Sequence, residues 1–191
     1  MAIYALGDLT PQIDPAAFVH PDAVIIGNVS IGPEASVWPT AVLRGDYAEI
    51  NIGAQTSIQD GVVIHVSHDL PTRVGARCVV GHNAHIEGAT VEDDAMVGSG
   101  SVVMHRAVVG TRSIVAAGAV VLDDTLIPRN SLALGVSHAL DRVAGQRRHL
   151  LMQRQVVVAE GSGCRPTRAE RAPHLARDTH DRRHQRRLDA R

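Results

Sequence analysis

The chain has 191 residues, a formal net charge of −1, and only one Trp, two Tyr and one Phe. This near-neutral balance gives no reason to expect binding to nucleic acid or to a membrane surface. The N-terminal residues lack the basic and apolar regions of a signal peptide, and two cysteines are too few for a disulfide framework, so we expect a cytoplasmic protein. The scarcity of aromatic residues indicates a narrow core of small aliphatic side chains.

A branched aliphatic residue recurs every six residues through most of the chain. Neither the 3.6-residue period of a helix nor the two-residue period of an ordinary strand explains this spacing, whereas a parallel β-helix of hexapeptide units does. Each unit forms one short strand and a turn, and three units close a triangular coil whose aliphatic residues stack inward ~4.8 Å apart. These inward positions, which we call anchors, are Ile13, Val19, Ile25, Ile31, Val37, Leu43, Ile52, Ile58, Ile64, Val74, Val80, Ile86, Val91, Val97, Val103, Val109, Val115, Val121 and Ile127.

Three steps between anchors are irregular. The next anchor comes nine residues after Leu43, ten after Ile64 and five after Ile86. We interpret each as a single step, so that the two long ones carry loops at 45–51 and 67–73. Loops on a rigid scaffold are common places for functional residues.

Counting three steps to a coil places three polar residues on one corner of the predicted prism. Arg44, His65 and Glu87 each directly follow an anchor, and they should lie in successive coils about 5 Å apart. His65 and Glu87 are then close enough to share one metal ion. His82 follows an earlier anchor, at another corner and about 20 Å away, so it can reach that ion only from a neighbouring subunit. A cyclic trimer is the simplest closed arrangement that would allow this.

The six-residue period fades after the last anchor. Residues 138–159 are predicted to form a helix with one apolar face. The segment that follows is rich in arginine and has too few large apolar residues to build a core. We therefore predict a β-helix domain at 1–135, a C-terminal helix within 136–160, and a disordered tail at 161–191.

Two stretches, at 42–69 and 79–88, resemble the γ-class carbonic anhydrases and their bacterial relatives. The elements R-G-D, S-I-Q-D-G and H-V-x-H occur in that order and are specific, and the similarity covers roughly residues 10–135. The resemblance implies an all-β, left-handed parallel β-helix with a C-terminal α-helix packed along the prism. It also implies a homotrimer with zinc, or iron or cobalt, at each subunit interface.

In that family three histidines bind the metal ion. The resemblance places the first at His65 and the second, contributed by a neighbouring subunit, at His82. The third position is Glu87, so this chain has a carboxylate where the family has an imidazole. Two histidines and a glutamate are an accepted ligand set for catalytic zinc, so metal binding is still expected, although the extra negative charge should make the ion a weaker Lewis acid. The alternative is a metal-free interface in which Glu87 pairs with an arginine.

Four further residues match the family's site. Arg44 and Asp46 match a structural pair that organises the subunit interface. Gln59 and Asp60 match a Gln-Asp pair whose glutamine lies near the metal-bound hydroxide. Tyr47 stands where the best-studied active members carry an acidic residue that shuttles protons.

The other histidines are weaker candidates for function. His85 could replace the missing ligand, although it precedes an anchor and so belongs to a different point of the turn. His68 could shuttle protons but is more simply a surface loop residue. His20 and His105 are interpreted as exposed corner residues, and Cys78 as a buried residue at a small inward position.

The sequence as a whole predicts a γ-carbonic-anhydrase-like trimer. If active, it would convert CO2 and bicarbonate reversibly through metal-bound hydroxide. Two alternatives stay open. One is a hexapeptide acyltransferase or CoA-thioester hydrolase that uses the same cleft between subunits. The other is a metal-free trimer that serves as a scaffold or binds a small ligand without catalysis.

Overall fold

The computed structural model of the protein describes residues 2–135 and the backbone of residues 159–160. The described chain winds as a left-handed parallel β-helix of about 7 turns, as the sequence predicts. No helix occurs in this part of the chain, and therefore none that could cross a membrane. The predicted tail at 161–191 lies outside the described residues. So does the predicted helix at 138–159, apart from Ala159, which belongs to a short strand.

The strands form three ladders, one for each face of the prism. Face 1 consists of β1 (Ala2–Tyr4), the first half of β4 (Val24–Ile31), the first half of β6 (Val42–Ile52), β8 (Val63–His65), β11 (His85–Glu87), β14 (Val102–Val103) and β17 (Val120–Val121). Face 2 consists of β2 (Gln12–Ile13), the second halves of β4 and β6, β9 (Thr72–Val74), β12 (Thr90–Val91), β15 (Val108–Val109) and β18 (Leu126–Ile127). Face 3 consists of β3 (Phe18–Val19), β5 (Ser36–Val37), β7 (Ser57–Ile58), β10 (Val79–Val80), β13 (Met96–Val97), β16 (Ile114–Val115), β19 (Ser131–Ala133) and β20 (Ala159–Glu160), which is antiparallel to β19.

The pairing register confirms the count of anchors. On face 1, Leu43 pairs with Ile64, and Ile64 pairs with Ile86, so each intervening coil contains three steps. On face 2, Val74 pairs with Val91, which shows that the short step after Ile86 is also a single step. All anchors from Ile25 to Ile127 are buried, and the two nearest the N-terminus are half-buried against the same core. The irregular steps therefore leave the stacking of the anchors unchanged.

The prediction of a loop at 45–51 is wrong, because these residues belong to β6, whose pairing with β4 shifts register between Gly27 and Val29. The step after Ile64 does contain a loop before β9.

Small residues fill the second inward position of most units. Cys78 occupies one of them and is 1% exposed, so the interpretation of this cysteine as a packing residue is confirmed. Burial raises the pKa of the Cys78 thiol, which keeps it protonated. Its Sγ lies 3.1 Å from the carbonyl oxygen of Glu92. The triangular core is thus closed by side chains too small to push the coils apart.

Valines line the outer surface of face 1. Val24, Val42 and Val63 are consecutive partners in its ladder, and after His85 the row continues with Val102. Val63 is 38% exposed and the other three are partly exposed. Because the row continues over several coils, it forms an apolar stripe along face 1.

The loss of stability on truncating an isoleucine should depend on the side of the sheet to which it points. Ile58→Ala removes a side chain that is fully buried on face 3, and we expect it to lower the free energy of unfolding by about 2–5 kcal/mol. Ile114 lies on the same face, but its side chain is 44% exposed, so Ile114→Ala should lower the free energy of unfolding by less than about 1.5 kcal/mol. Urea unfolding followed by circular dichroism measures both. Equal losses would contradict the assignment of inward and outward positions.

Candidate functional site

The corner between faces 1 and 2 carries the predicted polar stack. Arg44 pairs with His65 in the ladder, and His65 pairs with Glu87. The three residues therefore lie in successive coils, as counting from the anchors predicts. The side chains of His65 and Glu87 are only 17% and 20% exposed, so the stack is partly removed from water.

Asp46 links two members of this stack. It pairs with the guanidinium of Arg44 through Oδ2, and its Oδ1 lies 2.9 Å from Nε2 of His65. Gly45 makes the turn possible, because a Cβ at this position would lie 2.4 Å from the carbonyl oxygen of Asn28. A glycine between Arg44 and Asp46 thus lets β6 pass close to the preceding coil and brings the two charges together.

Glu87 is the centre of a wider cluster. Ser67 donates a hydrogen bond from Oγ to Glu87 Oε1 at 2.8 Å, and Nδ1 of His65 lies 3.3 Å from the same oxygen. Nε2 of His105 lies 3.4 Å from Oε1, and Nε2 of His85 lies 3.3 Å from Oε2. One carboxylate therefore contacts three imidazoles and a hydroxyl group. Within the described residues of one chain, its partners are these histidines and Ser67.

The cluster keeps this carboxylate ionised. Partial burial by itself would raise the pKa of Glu87, but the hydrogen bonds from Ser67, His85 and His105 and the charge on His65 outweigh it. The pKa of Glu87 is lowered to about 2. An anionic oxygen pair is thus available at the corner throughout the physiological pH range.

His105 and its neighbours extend the cluster by two more coils. Nδ1 of His105 lies 3.5 Å from Oδ1 of Asp123, whose other oxygen is 3.6 Å from Arg106. The interpretation of His105 as an exposed corner residue is wrong, since its side chain is 22% exposed. Gly88 leaves the necessary space, because a Cβ there would lie 3.0 Å from Cδ2 of His105.

Sequence reasoning missed Ser67, His105 and Asp123 as members of this site. The six-residue repeat does indicate the positions of His105 and Asp123. His105 lies two residues after the anchor Val103, one coil beyond Glu87, and Asp123 lies one coil further in the same position. Counting the coils past Glu87 would have placed both on the same corner. Nothing in the period marks Ser67, which lies in a loop.

His82 lies at a different corner, between faces 3 and 1. Its Nδ1 is 3.1 Å from Oδ2 of Asp60, and the two side chains are about half exposed. Gln59 precedes Asp60 on this corner, where its backbone N–H donates to the carbonyl of Val80. The fold thus brings Asp60 to His82 but does not join this pair to His65. Within the described residues of one chain, no three His, Cys, Asp or Glu side chains are arranged to hold a metal ion.

Two exposed rings lie beside the first corner, that of Tyr47 on β6 and that of His68 in the loop that follows β8. The rings of Tyr47 and His68 are 6.0 Å apart between centroids, and Nδ1 of His68 lies 2.9 Å from Asp69. The side chain of His68 is 81% exposed, as expected for a surface loop residue.

Comparison with known proteins identifies hexapeptide-repeat proteins that are similar to this chain. A family model described as bacterial transferase hexapeptide (six repeats) matches residues 88–123. The chain is 44% identical over 127 residues to "Gamma carbonic anhydrase 2, mitochondrial" of Arabidopsis thaliana, covering 63% of this chain and 46% of that protein. It is 45% identical over 152 residues to carnitine operon protein CaiE of Shigella flexneri serotype 5b, covering 80% of this chain and 68% of CaiE. The chain belongs to the γ-carbonic-anhydrase-like family of hexapeptide-repeat proteins.

The family includes solved structures with the same fold. A hexapeptide transferase family protein from Anaplasma phagocytophilum has 36% identity and a TM-score of 0.68, covering 71% of this chain and 80% of that one. A putative acetyltransferase from Bacillus cereus has 32% identity and a TM-score of 0.70, covering 71% and 78%. This chain spans about half the length of several curated relatives, 46% of the plant protein and 56% of CaiE from Escherichia coli K12.

The stability of the fold should depend on the ionisation of Glu87. Its folded pKa of about 2 lies below the ordinary value of 4.5, so its contacts stabilise the protein fully above pH 4.5 and are lost as the pH falls from 4.5 towards 2. Glu87→Gln should therefore be less stable than the wild type at pH 6, and the difference should shrink over that interval. Thermal unfolding across a pH series measures it, with the exposed Asp8→Asn as control. A difference that stays constant down to pH 2 would contradict the assignment.

Proposed function

We propose that this protein is a metal-dependent γ-carbonic-anhydrase-like enzyme that interconverts CO2 and bicarbonate. Its metal ion, zinc or alternatively iron or cobalt, is bound between the subunits of a homotrimer by His65 and Glu87 of one subunit and His82 of the next. The observation that carries the proposal is that both histidines hold a carboxylate on one ring nitrogen.

That arrangement is typical of metal-binding histidines. A carboxylate on one nitrogen fixes the orientation and tautomer of the ring and leaves the other nitrogen for the ion. Asp46 lies on Nε2 of His65, and Asp60 lies on Nδ1 of His82. The remaining nitrogen of His65 faces Glu87, at 3.3 Å from Oε1. Two imidazoles and a carboxylate suit zinc and other divalent ions of the first transition row, so the donor set fits the metal of the family.

The position of the two corners supports a trimer. Face 1 lies between them, with His82 near one edge and the pair His65–Glu87 at the other. A cyclic assembly with face 1 turned towards its axis would bring the first edge of one subunit against the second edge of the next. The same assembly would bury the valine stripe of face 1, which is the kind of surface that subunit interfaces cover.

Each residue then has a distinct role. A metal ion held by His65, Glu87 and the partner's His82 would supply a water of lowered pKa for the attack on CO2 near neutral pH. Arg44 holds Asp46, which in turn orients His65, while Asp60 orients His82. The amide of Gln59 precedes Asp60 at the same corner and serves to orient the attacking water and the bicarbonate product through hydrogen bonds.

Acyl transfer or CoA-thioester hydrolysis is the second candidate. It is favoured by the putative acetyltransferase of Bacillus cereus, which shares the fold at 32% identity. The loop at 67–73 is short for a loop that would present a catalytic histidine over a CoA cleft. Assays with acetyl-CoA and with acyl-CoA thioesters, run beside CO2 hydration, separate the two activities.

The proposed trimer predicts the mass of the particle and a surface at which a charged substitution would separate the subunits. Three chains of 20.3 kDa give a particle of about 61 kDa by light scattering or analytical ultracentrifugation. Val63→Asp places a charge on the stripe of face 1 and should shift the protein to a monomer, because an unpaired charge is costly to bury. Leu126→Asp alters a side chain on face 2 that is 69% exposed and should leave the particle unchanged. A wild-type monomer would contradict the proposal.

Metal content and hydration should depend on residues from two subunits. We expect about one ion per chain in the wild type, and little or none in either His65→Ala or His82→Ala. When the two variants are co-expressed, a mixed trimer contains one interface with both histidines intact. The metal content, measured by elemental analysis, and the rate of CO2 hydration, measured by stopped flow, should therefore both recover partly.

The mixed trimer discriminates between arrangements of the site. Recovery is impossible if His65 and His82 bind the ion within one chain, because each variant chain lacks one of them. Co-expression of His65→Ala with Glu87→Ala is the matched control, since both changes affect the same corner and no interface regains a full set. An intact wild-type trimer that takes up no metal would leave a scaffold or a small-ligand-binding protein.

A further inference from the structure

The carboxylate of Glu87 has neighbours on both sides along the prism. His65, one coil before it, belongs to the proposed metal site. Ser67 and His105 belong to no site assigned so far, yet both contact the same oxygen, Oε1, at 2.8 and 3.4 Å. Ser67 Oγ and His105 Nε2 are also 3.1 Å from each other, so the three groups form a closed triangle.

We propose that Ser67 and His105, the latter held by Asp123, are positioning residues that allow Glu87 to serve as a metal ligand in the place of an imidazole. The inference rests on the proposed function, because it concerns how one ligand of that metal site is held.

The need for such residues follows from the chemistry of glutamate. A glutamate side chain has one more rotatable bond than histidine, so more conformational freedom is lost when it is held in one orientation. It also brings a full negative charge, which an imidazole ligand does not. Hydrogen-bond donors to the carboxylate address both points. They select one orientation of the side chain. They also reduce the negative charge that the carboxylate presents to the ion, which would otherwise make the ion a weaker electrophile.

Two members of the triangle lie at or just beyond the ends of strands, and Ser67 joins them from a loop. Glu87 ends β11, and His105 follows β14 in the next coil. Asp123 follows β17 one coil further and lies 3.5 Å from Nδ1 of His105, so the ring stands between two acids, with Asp123 at Nδ1 and Glu87 at Nε2. Gly88 provides the space for this imidazole, because any Cβ there would be only 3.0 Å from it. Four successive coils thus contribute Ser67, Glu87, His105 and Asp123.

The experiment measures the affinity of the metal-free protein for Co²⁺ by titration against a chelator. His105→Leu removes the donor and should weaken binding roughly 10–100-fold, the usual effect of losing a group that orients a ligand. His105→Gln keeps an N–H donor at a similar reach and should keep most of the affinity. His20→Ala is the matched control, because His20 also pairs with an acid, Asp22 at 3.8 Å, but lies three coils before His82 along the prism.

The same substitutions in a Glu87→His background separate positioning from general stability. With an imidazole ligand there is no carboxylate to hold, so His105→Leu and Ser67→Ala should change the Co²⁺ affinity less than about threefold. The visible spectrum of bound Co²⁺ checks that the coordination is comparable in the two backgrounds.

Each remaining outcome has one meaning. Equal losses of affinity in the wild-type and Glu87→His backgrounds would show that His105 acts only on the fold, and unchanged affinity in the wild-type background would overturn the inference directly. Absence of Co²⁺ binding by the wild-type trimer would overturn the proposed function itself, and the inference with it.

Discussion

The structure depends on the inward stacking of branched aliphatic residues from one coil onto the next. Leu43, Ile64 and Ile86 are direct partners in one ladder, although the loops between their coils differ in length. Because the core has no room for a shifted side chain, the register cannot slip by one residue without turning anchors outward. The polar residues that follow the anchors are aligned for the same reason. The chemistry of the corner is thus a consequence of packing in the core.

On that corner, a single acid organises groups from several coils. Glu87 contacts His65 from the preceding coil and His105 from the following one. Asp46 and Asp123 occupy the outer nitrogens of these two imidazoles. Acids and histidines therefore alternate along the prism, and Arg44 and Arg106 contact the outermost acids. Glu87, which stands where the resemblance predicts a histidine, has partners from its own chain on both carboxylate oxygens.

The triangular cross-section explains why one chain cannot complete the proposed site. Neighbouring corners are separated by the width of a face, so the His82–Asp60 pair cannot approach His65 and Glu87 in the same coil. An assembly that turns face 1 inward would use this separation, because each interface would join two different corners. In the proposed trimer the fold would link catalysis to assembly, because each histidine is held by its own aspartate within one chain and the two histidines would meet only between subunits.

The sequence by itself determined the β-helix, its anchors and the alignment of Arg44, His65 and Glu87. These features depend only on residue type and spacing, and inward packing at a constant rise translates spacing directly into position. It also marked Glu87 as a carboxylate at a position where the resemblance predicts a histidine. The tertiary structure alone decided where the corner side chains point. His105 turns towards Glu87 along the corner, because Gly88 leaves space for its ring. Ser67 reaches the same oxygen of Glu87 from a loop, and Asp60 contacts one ring nitrogen of His82. Such contacts depend on the local turn and on neighbours in other coils, which a six-residue period does not encode.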